Sequence, residues 1–299
     1  MIGTIKPQYN DIHFSGHESF PCRTLWLKKG YDFIKSNGNF NDDNAVVTLG
    51  VGKNMVSAIR YWYKVFGFNS EKFGWLADYL FDNNNGKDKY LEDLATLWLL
   101  HFLIIYFNDA TLYNMFFAMF QRERKVFDRE HILNFVKRKL VEAQKETAFN
   151  ENTVRRDIAT LLLNYCLPKK PQSNDEYSTL LLDLDLIRQT DKTDKHDEQN
   201  NFDYYFNIEG KRKVTDEIFL FAVIVANEGN TKVIDYELLQ EIGLIFCMTD
   251  LETIDMLKSL TEKYPEYLSY TDHAGMRYIS IQKPLEPIEI LNNYYDAKN

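Results

Sequence analysis

Apolar residues recur at intervals of three and four along most of the chain, which is the spacing of an amphipathic helix. In the first third, this spacing predicts helices over Thr24–Ile34, Ala45–Leu49 and Lys53–Phe66. Asn37-Gly38 and Gly50-Val51-Gly52 separate these helices, because Gly accepts the left-handed backbone that ends a helix. Three helices with two short turns between them predict a helix-turn-helix unit.

The segment after the third helix allows two interpretations. Phe73–Phe81 has the pattern of a strand or of a short helix, and Asp82–Asp88 has the Asn, Asp and Gly content of a turn. A strand here would supply a β-wing and complete a winged-helix-like DNA-binding unit over residues 1–90. A plain surface loop is the alternative.

The middle of the chain is strongly apolar and predicts helices throughout. Its longest apolar run, Leu97–Phe107, is too short to cross a bilayer and is typical of a buried helix. His101 lies inside that run, and we expect it to be a hydrogen-bonded core residue rather than a ligand. The helices predicted for this middle domain, residues 91–170, are Leu91–Phe107, Thr111–Gln121, Asp128–Lys145 and Asn152–Cys166, with Asn152 as N-cap.

A polar and acidic stretch interrupts the helical pattern after the middle domain. Pro168-Lys169-Lys170-Pro171 breaks the chain, and Asp191–Asn201 is nearly free of apolar residues. These features predict an acidic linker region over residues 171–210. Within it, the apolar stretch Leu180–Ile187 must pack against another part of the fold.

The last part of the chain, residues 211–299, repeats the order of helices followed by a hairpin. Thr249 and Glu252 form a capping-box pattern before the last of three predicted helices. Tyr267–Thr271 and Met276–Ile281 alternate around a turn, which predicts a β-hairpin. We therefore expect a mainly α protein with winged-helix-like units at both ends. The three helices are Thr215–Ala226, Tyr236–Ile242 and Asp250–Lys263.

Composition narrows the class of protein. With 13 Gly and 7 Pro in 299 residues, a turn-rich all-β fold and a disordered chain are both disfavoured. Cys22, Cys166 and Cys247 are odd in number and far apart, which argues against a disulfide framework or a cysteine-type zinc site and favours a reducing compartment. Met1–Asn10 lacks the apolar core of a signal peptide, so we expect a cytoplasmic protein that does not engage membranes.

The net charge of −9 is distributed unevenly along the chain. Residues 1–68 contain eight Lys and Arg against five Asp and Glu, and residues 121–170 contain twelve against seven. Residues 171–210 contain three against ten. Because both basic stretches carry helix-turn-helix-like patterns, one interpretation is that they face a polyanion. The other is ordinary variation of charge along a chain.

The third helix carries four candidates for contacts with duplex DNA. Lys53, Arg60 and Lys64 lie off its apolar stripe and would supply phosphate contacts, with a guanine contact from Arg60. Lys53 and Asn54 begin the helix after Gly50-Val51-Gly52, where free N–H groups favour anions. The alternatives are an ordinary solvated face and a plain tight turn.

A second candidate DNA contact lies in the other basic stretch. Arg155 and Arg156 resemble the start of a recognition helix in helix-turn-helix regulators. Asp157 follows them directly, so the alternative interpretation is an Arg–Asp pair that stabilises the end of a helix. The sequence pattern does not decide between these two roles.

His17, Glu18 and Arg23 form the group most typical of an enzyme. Cleavage of one DNA strand needs a base or a metal-held water, and a cation that neutralises the scissile phosphate. Glu18 is the only local carboxylate, whereas metal nucleases gather two or more, so Asp42 and Asp43 would have to join it in space. The alternative is structural: Glu18 pairs with Arg23, and His17 caps the loop.

The sequence identifies no resident cofactor and no set of metal ligands. His13 and His17 are four residues apart, but Ser15-Gly16 between them argues against a helical pair of metal-binding histidines. Mg²⁺ or Mn²⁺ would be required only if the chain nicks DNA.

Three stretches stand in order through the first half of the chain. The first is Phe14–Arg23 running into Trp26–Lys29, the second is Asp42–Trp62, and the third is Tyr90–Asp93 with Thr96–His101. Together they resemble a prokaryotic family, the domain of unknown function 4007 family, over roughly residues 14–165. Members of this family look like components of DNA phosphorothioation clusters, in which bacteria replace a phosphate oxygen by sulfur for phage defence.

The resemblance implies a DNA-directed role in phosphorothioation or in a related defence system. One family member is similar to a DNA-nicking component that acts beside a cysteine desulfurase, an ATPase and a sulfur-transferring ATP pyrophosphatase. Other proteins of such a cluster are therefore the expected partners. The resemblance supplies no settled active-site motif.

These observations leave two classes of function open. The first is a DNA-binding component of a phosphorothioation or phage-defence system, which either nicks one strand or leaves the cut to another subunit. The second is a non-catalytic winged-helix scaffold or adaptor that binds partner proteins, which the acidic residues 171–210 would suit. A homodimer is compatible with both.

Overall fold

The computed structural model of the chain describes residues 5, 9–168, 178–191, 202–227, 231–273 and 275–298. These residues are mostly helical and include two small antiparallel sheets. Contacts divide the chain into two compact units, a larger unit of residues 7–212 and a smaller unit of residues 213–299 with 1–6. The predicted segments 1–90, 91–170 and 171–210 thus fall almost entirely in the larger unit, and their status as separate domains stays a prediction.

The first three predicted helices of the larger unit are present. α1 is Trp26–Lys35, α2 is Ala45–Leu49 and α3 is Lys53–Val65. A left-handed Gly50 ends α2, as the sequence predicted. α3 buries its apolar stripe, and Trp62 on that stripe is fully buried. The sequence therefore placed these three helices within two residues of their observed ends.

The β-wing predicted after α3 is absent. Trp75–Phe81 forms helix α4, and the Asp82 carboxylate accepts hydrogen bonds from the N–H groups of Asn84 and Asn85 to close the turn that follows. Burial explains the difference, because the buried residues of this segment follow the spacing of a helix and not the alternation of a half-buried strand. They are Leu76, Ala77, Leu80 and Phe81.

Helix α5, Leu94–Tyr106, is buried on nearly all sides within the larger unit. His101 lies in this helix and is fully buried. Its Nδ1 atom is 2.8 Å from the hydroxyl oxygen of Tyr165. This contact confirms the prediction of a hydrogen-bonded core histidine.

The remaining helices of the larger unit differ from the prediction in two details. Met115–Phe120 is π-helical where a regular helix was expected, and its wider turns lie in a cluster of buried phenylalanines. Asn150, rather than Asn152, caps the last helix, because its side chain accepts the N–H of Thr153 at 3.0 Å. The helices are α6 (Thr111–Asn114), α7 (Gln121–Glu123), α8 (Arg129–Glu142) and α9 (Glu151–Tyr165).

Part of the region predicted as an acidic linker belongs to the fold of the larger unit. β3, Phe202–Phe206, pairs with both β1, Val126–Phe127, and β2, Ile187–Asp191, in an antiparallel sheet of order β1-β3-β2. The linker prediction is therefore wrong for these residues, because the apolar Leu180–Ile187 stretch packs into the core as it must. Residues 169–177 and 192–201, which hold most of the predicted polar loop, lie outside the described residues.

The smaller unit places a short strand between its first two helices and ends in a hairpin and a further helix. Its sheet has the order β4-β6-β5, with all pairs antiparallel. The predicted hairpin and the predicted capping box at Thr249 are both present. The elements are α10 (Asp216–Ala226), β4 (Val233–Asp235), α11 (Tyr236–Ile245), α12 (Asp250–Lys263), β5 (Leu268–His273), β6 (Met276–Ile281) and α13 (Pro287–Tyr295).

No single helix in the described ranges is long and apolar enough to cross a membrane. α5 and the helical run Thr111–Glu123 reach the length and composition of a broken span only when taken as a pair, and the pair is bent by 106°. Both segments are largely buried inside the larger unit.

Replacing Thr249 by Ala tests the capping box that starts α12. The change removes the hydroxyl that accepts the Glu252 N–H at 3.1 Å, so we expect a loss of about 1 kcal/mol in the local stability of α12. Hydrogen exchange of the α12 amides should then be about fivefold faster. Thr249→Ser keeps the acceptor and should exchange like the wild type. Equal acceleration in both variants would contradict the capping role.

Candidate functional site

The loop Phe14–Arg23 is held along one polar face of α9. Asp157, Thr160 and Asn164 are three and four residues apart, so they lie on the same side of the helix. Asn164 Oδ1 accepts the backbone N–H of Cys22 at 2.9 Å, near the end of the loop. The other two residues contact the middle of the loop, so the whole segment is fixed by a single helix face.

His17 is the buried centre of these contacts. Its Nε2 atom lies 2.9 Å from Asp157 Oδ1, and its Nδ1 atom accepts the N–H of Ser19 at 3.0 Å. Because Nδ1 is an acceptor, the proton of the neutral imidazole is on Nε2 and is donated to the carboxylate. Asp157 Oδ2 accepts the N–H of Ser15 at 2.8 Å, and the Thr160 hydroxyl is 3.3 Å from Nδ1.

Aromatic side chains of α3 hold the same loop from another side. Trp62 stacks on the His17 ring at 6.3 Å between centroids, and its indole N–H donates to the carbonyl of Phe20 at 3.1 Å. Tyr61 packs against Gly16 so closely that an added Cβ would lie 2.6 Å from the tyrosine ring. Gly16 also has φ of +105°, so both the approach and the backbone conformation require glycine.

The backbone of this loop is strained. Ser15, Glu18 and Ser19 have φ of 73°, 50° and 62°, and Gly16 lies between the first two. Left-handed conformations at non-glycine residues cost about 1–3 kcal/mol each and concentrate at functional sites. The hydrogen bonds to Asp157 and the packing on α3 offset this cost. The loop is therefore a rigid element and not a flexible connection.

The three residues predicted to be catalytic differ in their burial and in their contacts. His17 is buried, and both of its ring nitrogens are hydrogen-bonded inside the fold. Glu18 is exposed next to it. Arg23 is half-buried, and its guanidinium lies 5.2 Å from the centre of the Trp26 ring, a cation–π contact. In this arrangement His17 holds the loop, and Glu18 is the member of the group that solvent reaches most readily.

The start of α3 is open to solvent. Its N-cap is Gly52, which offers no side-chain acceptor, so the first N–H groups of the helix have no side-chain cap. Lys53 and Asn54 are exposed, and a Cβ added at Gly50 or Gly52 would meet nothing within 4 Å. Backbone and basic side chain together can approach a large anion here.

The other candidate DNA contacts on α3 and α9 differ in whether they already bind a side chain of the fold. Arg60 is exposed, and its Nη1 atom donates to Asn41 Oδ1 at 2.6 Å, in the loop where Asp42 and Asp43 follow. Lys64 forms an ion pair with Asp109 at 3.0 Å. Arg156 is exposed on α9 and makes no ion pair with any residue that the structure describes.

Arg155 pairs with carboxylates on two helices. Its guanidinium binds both oxygens of Glu130 on α8 and also contacts Glu151 at 2.9 Å. The hydrogen bond to Glu130 raises the pKa of Arg155, and the same bond lowers the pKa of Glu130. The expected pairing of an arginine with Asp157 is therefore replaced, because Asp157 faces His17.

The described residues do not preassemble a metal site. Within those ranges, no group of three or more His, Cys, Asp and Glu side chains is arranged to hold a metal ion. The proposed union of Glu18 with Asp42 and Asp43 is thus not present as a cluster. The residues at hand do not fit a resident metal, and no step of a reaction can be derived through one.

Sequence reasoning missed the residues that fix the loop. Asp157, Thr160 and Asn164 were not singled out as a group, although they form a polar stripe on a helix whose other inward positions are apolar. A polar stripe of this kind on a buried face must find partners inside the protein. That signal could have located the helix face but not its partner, which lies 140 residues earlier in the chain.

The family model described as protein of unknown function DUF4007 matches residues 14–295, and the chain belongs to this family. The sequence-based resemblance is thereby confirmed and extends through the smaller unit. No curated protein matches the sequence.

Among solved structures, the chain is similar to SspB. The SspB crystal structure has 23% sequence identity and a TM-score of 0.78, over 95% of this chain and 88% of that chain. The magnesium ion-bound SspB crystal structure has 22% identity and a TM-score of 0.76, with the same coverage. At this level of identity, the likeness shows a shared fold.

Replacing Asp157 by Ala tests the buried contact that fixes the loop. The change leaves His17 Nε2 and the N–H of Ser15 without their acceptor, so we expect the free energy of unfolding to fall by about 3 kcal/mol. Urea denaturation followed by tryptophan fluorescence measures it. Arg156→Ala, one residue away and exposed, should change stability by less than about 0.5 kcal/mol.

A double-mutant cycle isolates the pair itself. If His17 and Asp157 act together, the combined variant His17→Ala/Asp157→Ala should lose much less stability than the sum of the two single variants. Additive losses would show that the two residues stabilise the fold independently.

Proposed function

We propose that this chain is a DNA-binding component of a DNA phosphorothioation or related phage-defence system. The observation that carries the proposal is the exposed and uncapped start of α3, where Lys53, Asn54 and Arg60 face solvent. Membership of the DUF4007 family and the SspB-like fold support the context of the proposal. Duplex DNA is the partner because its phosphates match this combination of helix terminus and cations.

The geometry of α3 favours a long anion over a small one. Arg60 and Lys64 follow Lys53 by seven and eleven residues. At about 100° per residue, both lie within roughly 20° of Lys53 around the helix axis, so the three side chains share one face. They span about 16 Å along the helix axis, enough for several backbone phosphates of a duplex. Lys64 would first have to exchange Asp109 for a phosphate, so its contribution is smaller.

The two ends of the chain support different helix-turn-helix assignments. α1, α2 and α3 follow one another with short turns, and we propose that they form a helix-turn-helix unit without a wing. In the smaller unit, helix, strand, helix, helix and hairpin follow in order, with β4 joined to β6. That order supports a winged-helix assignment for residues 213–299.

The variant Lys53→Glu/Arg60→Glu tests the proposed DNA face. We expect its affinity for a labelled duplex to fall at least about tenfold. The slope of log affinity against log salt concentration should decrease by the equivalent of about two phosphate contacts. Fluorescence anisotropy over a series of salt concentrations measures both quantities. Lys64→Glu and Arg155→Glu should have smaller effects, because both side chains already bind carboxylates.

The matched control is Lys232→Glu/Lys258→Glu in the smaller unit, which makes the same change in net charge at two exposed lysines. It should bind DNA like the wild type. An equal loss in the two double variants would mean that only bulk charge matters, and would remove α3 as the docking face.

A second candidate function is cleavage of one DNA strand at the Phe14–Arg23 loop. The observation that favours it is the strained backbone at Glu18, an exposed carboxylate in the same loop as Arg23. Strain of this kind is typical of functional sites. In this scheme Glu18 would act as a base, Arg23 would neutralise the phosphate, and His17 would position the loop from inside.

Glu18→Ala separates this candidate from simple DNA binding. We expect the variant to lose conversion of supercoiled plasmid to nicked circle in Mg²⁺ or Mn²⁺ buffer, while its affinity for a duplex stays unchanged. Glu146→Ala removes another exposed carboxylate and is the control. His17→Ala is unsuitable, because it breaks the buried contacts of the loop. If the wild-type chain binds DNA but leaves plasmid intact, the cleavage proposal fails and the binding proposal stands.

A further inference from the structure

Residues 213–299 of the smaller unit account for most of the net negative charge of the protein. Residues 213–299 contain seven of the 35 Lys and Arg but 15 of the 44 Asp and Glu, a net charge of −8 out of −9. A surface of this charge repels the phosphate backbone of nucleic acids. The winged-helix-like order of its elements therefore does not make this unit a second DNA reader.

The helix that would read DNA in a winged-helix unit is acidic. α12 exposes Glu252, Asp255 and Glu262. Of its two lysines, Lys258 is exposed, while Lys263 binds the buried carboxylate of Glu217. The exposed side chains of α12 thus carry a net negative charge, which suits a cationic partner.

An open cleft lies beside the start of α12. It has a volume of about 730 Å³ and is formed by the start of α11 and the tip of the β5–β6 hairpin. Tyr236, Met276 and Tyr278 supply its apolar surface, and Asp235 and Asp272 supply carboxylates. A cleft with aromatic and apolar walls and acidic edges is suited to an extended or helical peptide.

The single cation of the cleft lining is neutralised by its neighbours. Arg277 binds Asp272 at 3.2 Å and approaches Asp250 at 3.8 Å, and its guanidinium lies over the Tyr236 ring at 5.2 Å. Asp250 also accepts hydrogen bonds from Tyr236 and Gln240, and the bond from Gln240 lowers the pKa of Asp250. The cleft is therefore preorganised and keeps a negative balance at neutral pH.

An apolar side chain of the cleft lining is strongly exposed. Met276 lines the cleft and is 62% exposed, and the rings of Tyr236 and Tyr278 belong to the same lining. An exposed apolar side chain within an acidic cleft is suited to contact an apolar side chain of a partner, so Met276 is the natural anchor there.

We infer that the acidic–apolar cleft formed by Asp235, Tyr236, Asp272 and Met276 docks a segment of a partner protein that carries Lys or Arg next to an apolar side chain. Opposite charges would steer the segment, and the cleft would hold its apolar group. This inference does not depend on the DNA contacts proposed for α3. It gives the chain a surface for a basic partner segment in the smaller unit, in addition to the DNA surface proposed in the larger unit.

The test uses the full chain and a fluorescein-labelled amphipathic peptide of about 12 residues, made of Lys and Leu in helical repeat. We expect salt-sensitive binding in fluorescence anisotropy. Met276→Ser should weaken it about fivefold, as expected for the loss of one apolar anchor. Ile288→Ser removes another exposed apolar side chain of the same unit and should not change it.

A pair of charge variants tests the electrostatic part. Asp235→Lys/Asp272→Lys and Glu286→Lys/Glu289→Lys make the same change in net charge at exposed positions, and only the first pair should abolish peptide binding. Equal losses in the two pairs, or unchanged affinity in the Met276→Ser variant, would overturn the docking cleft. Duplex binding that requires Met276 would overturn it as well, because DNA would then be the occupant. Circular dichroism verifies that each variant is folded.

Discussion

The hydrogen bond between His17 and Asp157 is the contact on which the larger unit depends most. It joins residues 140 positions apart and is almost completely buried, so its loss leaves polar groups without water or partner. Through it, the strained Phe14–Arg23 loop is fixed to α9, and through the loop the aromatic face of α3 is fixed as well. Polar contacts thus set the relative position of α3 and α9, whose other buried side chains are mostly apolar.

Rigidity of this kind has a direct consequence for DNA binding. A helix terminus attracts phosphate only within about one turn, so the orientation of α3 decides whether its open start and its cations meet the same anion. The loop supplies that orientation from the buried side and leaves Lys53, Asn54 and Arg60 exposed. The same rigidity fixes the backbone at Glu18, so the proposed DNA binding and the proposed strand cleavage would share one supporting structure.

Much of the fold follows from the sequence, because local spacing determines it. α1, α3 and α12 and the C-terminal hairpin appear where the apolar pattern and Thr249 place them. The predictions that failed depend on contacts between residues that are distant in sequence. A wing was expected where the buried residues form α4, and a linker was expected where β3 pairs with β1 and β2. His17 was recognised as special, but nothing local reveals that Asp157 is its partner.

The two units differ more in their net charge than in the order of their helices. Both ends of the chain have helix orders that are compatible with DNA-binding folds, yet residues 213–299 have a net charge of −8 and the larger unit is close to neutral, with exposed cations on α3. Fold alone would therefore predict the same partner for both ends, whereas electrostatics predicts opposite ones. The charge of the surfaces, and not the order of the helices, is what supports the proposals of phosphate at α3 and of a cationic protein segment at the cleft beside α12.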